Sequence, residues 1–105
     1  MDRRGNIALG YSVVNGTDVF PGIRYTGRLS GDPLGEMTLG EGSIIEGTGV
    51  QTTTNSRWGD YTSLNIDPTD DCTFWYVNEY YTAAGQASSP AGWQTRIASL
   101  RLPGC

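Results

Sequence analysis

The sequence contains no histidine and no lysine, so all seven of its basic residues are arginines. Without histidine the chain cannot build Ser-His-Asp or Cys-His catalytic groups, nor a metal site with imidazole ligands. Without lysine it cannot form a Schiff base or the phosphate-binding lysine of a P-loop. Carboxylate, tyrosine and arginine chemistry remain, and we predict neither a cofactor nor an assignable catalytic residue.

Long apolar runs are also missing. No stretch approaches the roughly 18 apolar residues of a membrane-spanning helix, and the residues after Met1 lack the apolar region of a signal peptide. The net charge is -4 and the arginines are scattered, so there is no basic patch for nucleic acid. We therefore expect neither a membrane nor a nucleic acid as partner.

Helical periodicity is absent, whereas glycine is frequent, with 15 residues. Val, Ile, Thr, Tyr and Trp cluster between the glycines, as in short strands joined by tight turns. The pattern predicts an all-β chain with a small-residue loop at 83–92. The predicted strands cover residues 6–14, 20–29, 37–46, 58–66, 73–82 and 93–102.

Alternation within the strand at 73–82 places Phe74 and Tyr76 on one face and Trp75 and Val77 on the other. Both faces are therefore apolar. A strand of this kind is expected inside a blade or layer that is packed on two sides.

A weak internal repeat follows from the order of elements. Residues 2–7 lead into a strand, a turn and a second strand, and residues 67–74 do the same some seventy residues later. Repeated units that cannot bury both faces alone are typical of β-propeller blades. We interpret the chain as one all-β domain, with about 1–50 as the second to fourth strands of one blade and about 57–105 as the first to third strands of the next.

The run from Trp58 to Tyr76, together with Thr95-Arg96-Ile97 and the final Pro103-Gly104-Cys105, resembles the C-terminal blades of secreted bacterial sialidase-like β-propeller proteins of the Asp-box type, which are mostly of unknown function. The resemblance implies a propeller architecture and an extracellular location. It does not imply catalysis, because a sialidase site needs an arginine triad drawn from several blades. The alternative fold is a small closed barrel or sandwich.

The two cysteines are Cys72 and Cys105, the latter at the last position of the sequence. A terminal strand frays unless it is tied down, and a bridge between these residues would fix it. We predict this disulfide, the alternative being two unrelated thiols.

Four neighbouring residues, Arg57, Trp58, Asp60 and Tyr61, are the candidate ligand-binding group. They stand at the start of the presumed innermost strand, where propellers bind ligands. The plainer interpretation is an Arg-Asp pair beside a packed tyrosine.

A second acidic group, Asp67, Asp70 and Asp71, could supply carboxylates to calcium, but its spacing fits no EF-hand loop. We expect a β-turn capped by aspartate side chains, and predict no metal site.

Three functions fit these observations. The favoured one is a binding or interaction module with carbohydrate as candidate ligand, because exposed Trp and Tyr rings stack on sugars. The alternatives are a glycosidase-like enzyme with a carboxylate and tyrosine site formed between chains, and a structural fragment without a ligand. Two blades leave strand edges and apolar flanks open, so we expect a homo-oligomer, a trimer being favoured over a dimer.

Overall fold

The computed structural model describes residues 1–105 and contains six strands and one short helix. The elements, in chain order, are β1 (Ile7–Val13), β2 (Gly22–Arg28), β3 (Glu41–Ile45), β4 (Ser63–Ile66), β5 (Phe74–Tyr80), α1 (Ala83–Ser88) and β6 (Gln94–Leu100). All six predicted strands are present, and the all-β class is confirmed.

The strands form two separate antiparallel sheets, ordered β1-β2-β3 and β4-β5-β6. No strand of one sheet pairs with a strand of the other, so the strands do not close into a barrel. All six strands are shorter than predicted, and β3 and β4 lose about half of their predicted length. Gly40 ahead of β3, and Gly59 and Tyr61 ahead of β4, take left-handed backbone conformations that interrupt an extended segment.

The prediction of a loop at 83–92 is wrong over Ala83–Ser88, which forms α1. This helix is too short to show an apolar period. It forms because the Thr82 side chain accepts a hydrogen bond from the Gly85 N–H and so caps the first turn. No helix of the structure is long and apolar enough to cross a membrane.

The two sheets pack face to face through small residues of β1. Gly10 lies under the Tyr76 ring, and a Cβ built at this glycine would come within 2.4 Å of that ring. One end of the contact is a core cluster of Ala8, Phe74 and Leu102. At the other end, Asn78 Nδ2 donates a hydrogen bond of 3.0 Å to Ser12 Oγ. The layer of side chains between the two sheets is therefore thin.

The outward faces of the two sheets are largely uncovered in a single chain. Only 15 of the 105 residues are buried, and Trp75, which was expected to be packed, is 46% exposed. In a single chain the other sheet covers the Phe74 and Tyr76 face of β5 and leaves the Trp75 and Val77 face open, so packing on that second face stays a prediction about the oligomer.

Cys72 and Cys105 are joined by a disulfide, with their Cα atoms 5.5 Å apart. Cys72 is fully buried at the entrance to β5. The bridge therefore ties the end of the chain to the strand that pairs with β6, as the sequence predicted.

Candidate functional site

The four residues predicted to bind a ligand line one pocket of about 460 Å³. It opens where the loop before β4 meets the ends of β5 and β6. Its lining residues are Asn55, Arg57, Trp58, Gly59, Asp60, Tyr61, Thr62, Val77, Asn78, Glu79, Trp93 and Thr95.

Trp58 anchors the loop to the body of the protein. Its ring stacks on the buried Tyr81, with ring centroids 6.0 Å apart and an angle of 27° between the planes. Its indole N–H donates to Ser12 Oγ over 2.9 Å. Trp58 is thus a fixed wall of the pocket, and its position depends on both sheets.

The segment Gly59–Thr62 forms a turn at the mouth of the pocket. The Thr62 N–H donates to the Gly59 carbonyl over 3.1 Å. Tyr61 occupies this turn with φ 65°, a left-handed conformation that a tyrosine adopts only against a steric cost. Its side chain is 94% exposed, the highest value of any large apolar residue in the chain.

Charged groups of both signs surround the pocket. Arg57 forms an ion pair with Asp60 across one turn of the loop. Glu79 of β5 accepts a hydrogen bond of 3.1 Å from the Gly59 N–H, which holds the loop against the sheet. The expected Arg-Asp pair is therefore present, but Tyr61 beside it is not packed.

Asn78 lies beneath the loop and is buried. Its amide group donates to Ser12 and to the Tyr76 hydroxyl, while its carbonyl oxygen accepts from the Thr62 hydroxyl over 2.9 Å. These bonds satisfy a polar side chain that would otherwise be costly to bury, and they make the base of the pocket rigid.

Sequence reasoning missed Glu79 and Trp93 as members of this site. Trp93, which is 42% exposed, stood out as an aromatic, but its place in the same pocket as Tyr61 depends on how β6 pairs with β5. Alternation put Glu79 on the same face as Val77. The presence of a carboxylate on the otherwise apolar face of β5 was the signal that could have identified Glu79.

Asp67 and Asp70 accept hydrogen bonds from the 67–71 turn and the start of β5, whereas Asp71 is exposed and has a left-handed backbone. The carboxylate of Asp70 accepts bonds from the Thr73 hydroxyl, the Thr73 N–H and the Cys72 N–H, which lower its pKa to about 2. Bonds from the Thr69 hydroxyl and N–H and from the Trp75 indole lower the pKa of Asp67. No group of three or more His, Cys, Asp or Glu side chains in the structure could hold a metal ion.

The chain matches no protein-family model, no curated protein and no solved structure. The resemblance to sialidase-like propellers therefore stays a prediction that depends on the sequence alone.

Proposed function

We propose that this chain is a carbohydrate-binding module whose ligand occupies the pocket beside Tyr61. The observation that carries the proposal is the conformation of Tyr61 itself: a bare aromatic ring presented on a strained backbone at the mouth of a pocket of about 460 Å³. Small-molecule sites commonly have volumes of about 300–1,000 Å³.

The strain argues against a merely structural role for Tyr61. A left-handed residue other than glycine costs on the order of 1 kcal/mol, and Tyr61 recovers none of it by packing, because its ring is in water. Glycine would serve the turn better. A large ring at this position is useful only if something stacks on it.

The chemistry around the ring suits a sugar. The exposed ring of Tyr61 and the half-exposed ring of Trp93 offer aromatic surface that can stack on the C–H faces of a pyranose. Arg57, Asp60 and Glu79 supply donors and acceptors for hydroxyl groups at the side of the same pocket. Trp58 and Asn78 hold these groups in place.

The glycosidase-like alternative is less well supported by the same pocket. It contains a single arginine, whereas a sialidase-type site needs three, and that arginine is already paired with Asp60. The second carboxylate, Glu79, holds the loop through Gly59. Binding requires no rearrangement of these pairs.

We further propose that the two sheets are neighbouring propeller blades of an extracellular protein. The two halves of the chain share two local hydrogen-bond patterns. Ahead of the strands, the carboxylates of Asp2 and Asp67 each accept a hydrogen bond from the backbone N–H two residues later. After the strands, Arg28 and Arg101 each donate to the backbone oxygen four residues later. A disulfide is typical of oxidising compartments. These features support the repeat and the location.

The test is a screen of an array of neutral and acidic glycans, followed by calorimetric titration of any glycan that binds. Tyr61→Ala should weaken binding about tenfold or more, equivalent to 1.4 kcal/mol, while Tyr61→Phe should remain within about twofold because it keeps the ring. Leu34→Ala is the matched control, since Leu34 is 90% exposed but lies outside the pocket.

A second variant separates binding from folding. Tyr61→Gly should weaken binding at least as much as Tyr61→Ala without lowering the melting temperature, because it removes the ring and glycine relieves the left-handed backbone. Absence of binding to any glycan, or equal affinities of the wild type and Tyr61→Ala, would contradict the proposal.

A further inference from the structure

We infer that successive copies of this chain pack head to tail, the second sheet of one copy against the first sheet of the next. The contact joins two surfaces: the second-sheet face, formed by Trp75, Val77 and Ile97, and the first-sheet face, formed by Leu9, Tyr11 and Val13. The inference extends the proposed blade architecture and does not depend on sugar binding.

The second-sheet face has the composition of an interface. Ile97 pairs with Val77 in the strand register, and it is 69% exposed, while Trp75 is 46% exposed. Polar residues of the neighbouring strands, Ser63 and Ser99, flank this apolar centre. An apolar centre with a polar rim is how protein interfaces are built.

The first-sheet face belongs to the outward side of β1. Leu9 is 48% exposed, and Tyr11 and Val13, which are half-buried, follow it at alternate positions. Tyr11 pairs with Arg24 of β2 and its hydroxyl donates to Glu41, so Leu9 and Val13 stand on either side of a polar centre. The inward side of the same strand carries only Ala8, Gly10 and Ser12. The larger apolar side chains of β1 thus point away from the only layer that a single chain can cover, which is the reverse of the usual arrangement.

The chain exposes more surface than a compact monomer of its mass. Its accessible surface is 6304 Å². A compact monomer of this mass would expose about 5,700 Å². The radius of gyration is 15.3 Å, against about 13 Å for a compact domain of this length. The excess, about 600 Å², is accessible surface that contacts with other copies of the chain would cover, each standard contact burying roughly 800 Å² per partner.

A second copy of the chain is the occupant that explains both faces together. Ala8, Gly10 and Ser12 of β1 meet Phe74, Tyr76 and Asn78 of β5 between the sheets. The first-sheet and second-sheet faces therefore lie on opposite sides of the sheet pair and cannot cover each other within one chain. A single type of head-to-tail contact, repeated between copies, covers both faces. Two different partner proteins would otherwise be needed, one for each face. Such a contact forms a closed ring when its rotation closes, and three two-blade chains would complete six blades.

The binding pocket would gain a wall from this contact. Val77 belongs both to the second-sheet face and to the pocket lining, and Thr95 lies next to Ile97 on the same side of β6. A neighbouring copy seated on this face would therefore stand at the edge of the pocket.

Light scattering on the intact chain and three variants tests the inference. Ile97→Arg disrupts the second-sheet face, Leu9→Arg disrupts the first-sheet face, and Leu34→Arg is the control, because Leu34 is exposed on neither face. The wild type and the control should have a mass of about 34 kDa, three times the 11.3 kDa of one chain. Each face variant alone should have the mass of a single chain, with an unchanged circular dichroism spectrum.

Mixing the two face variants is the decisive step. Each keeps one intact face, so an equimolar mixture should form one contact and a species of about 23 kDa, twice the 11.3 kDa chain. A wild-type mass of 11.3 kDa at micromolar concentration would overturn the inference. So would a mixture that stays at one chain's mass, or a Leu9→Arg variant that assembles like the wild type. Sugar binding plays no part in this measurement, so either proposal can fail without the other.

Discussion

The bridge between Cys72 and Cys105 should contribute much of the stability of this chain. The disulfide closes a loop of 33 residues and ends three residues after Leu102, which is buried in the core cluster with Ala8 and Phe74. Replacing the terminal cysteine, Cys105→Ser, removes the bridge and leaves the buried Cys72 in place.

The magnitude follows from loop length. The chain-entropy model gives about 3.7 kcal/mol at 25 °C for a loop of this size. Unfolding entropy scales at about 2.1 cal/mol/K per residue, so a chain of 105 residues should lose about 17 °C in melting temperature. The effect is large because a chain of this length has a small unfolding entropy, so each kcal/mol of stability corresponds to several degrees of melting temperature.

The assay is thermal unfolding followed by circular dichroism, with and without dithiothreitol, on the wild type and Cys105→Ser. The reductant should lower the melting temperature of the wild type to that of the variant and leave the variant unchanged. This control separates loss of the bridge from loss of the cysteine side chain.

The reasoning would be refuted if the wild type melted at the same temperature under both conditions. It would also be refuted if Cys105→Ser melted within about 5 °C of the oxidised wild type, little more than 1 kcal/mol. Either result would mean that packing of Leu102, and not the covalent link, holds the terminal strand.

Three further predictions concern packing and charge. Gly10→Ala should cost about 1–3 kcal/mol by denaturant titration, because its Cβ meets the buried Tyr76 ring, whereas Gly16→Ala, which has open space, should cost almost nothing. The pKa of Asp70 is depressed in the folded protein, so its carboxylate stabilises the fold at pH values above 3.8, its ordinary pKa, and this stabilisation is lost as the pH falls through about 2. The Asp70→Asn variant should therefore show a flatter dependence of stability on pH over that range. Bonds from Thr73 and its neighbours occupy the Asp70 carboxylate, so melts in calcium and in chelator should coincide; a site with calcium at a hundred times its dissociation constant would add about 2.7 kcal/mol.

The sequence by itself determined the class of the fold and the position of each strand. Alternating side chains and glycine-rich turns are local signals, so all six strands could be read from them. The ends were harder, because Tyr61 ends the extended segment before β4 through a left-handed backbone that its residue type does not announce. The helix Ala83–Ser88 was missed for a similar reason, since it depends on the cap from Thr82 and not on an apolar period.

The candidate site divides in the same way. Arg57, Trp58, Asp60 and Tyr61 are neighbours in the sequence, so a single loop was enough to group them. Their partners come from elsewhere: Glu79 and Trp93 reach this pocket only because β5 and β6 pair in one register.

Tertiary structure alone decided which aromatic rings are core and which are exposed. Alternation assigns residues of β5 to two faces, but it does not say which face another sheet will cover. Gly10 settles this, because only a residue without a side chain lets β1 approach Tyr76 so closely. That approach buries Tyr76 and leaves Trp75, on the other face of the same strand, in contact with solvent.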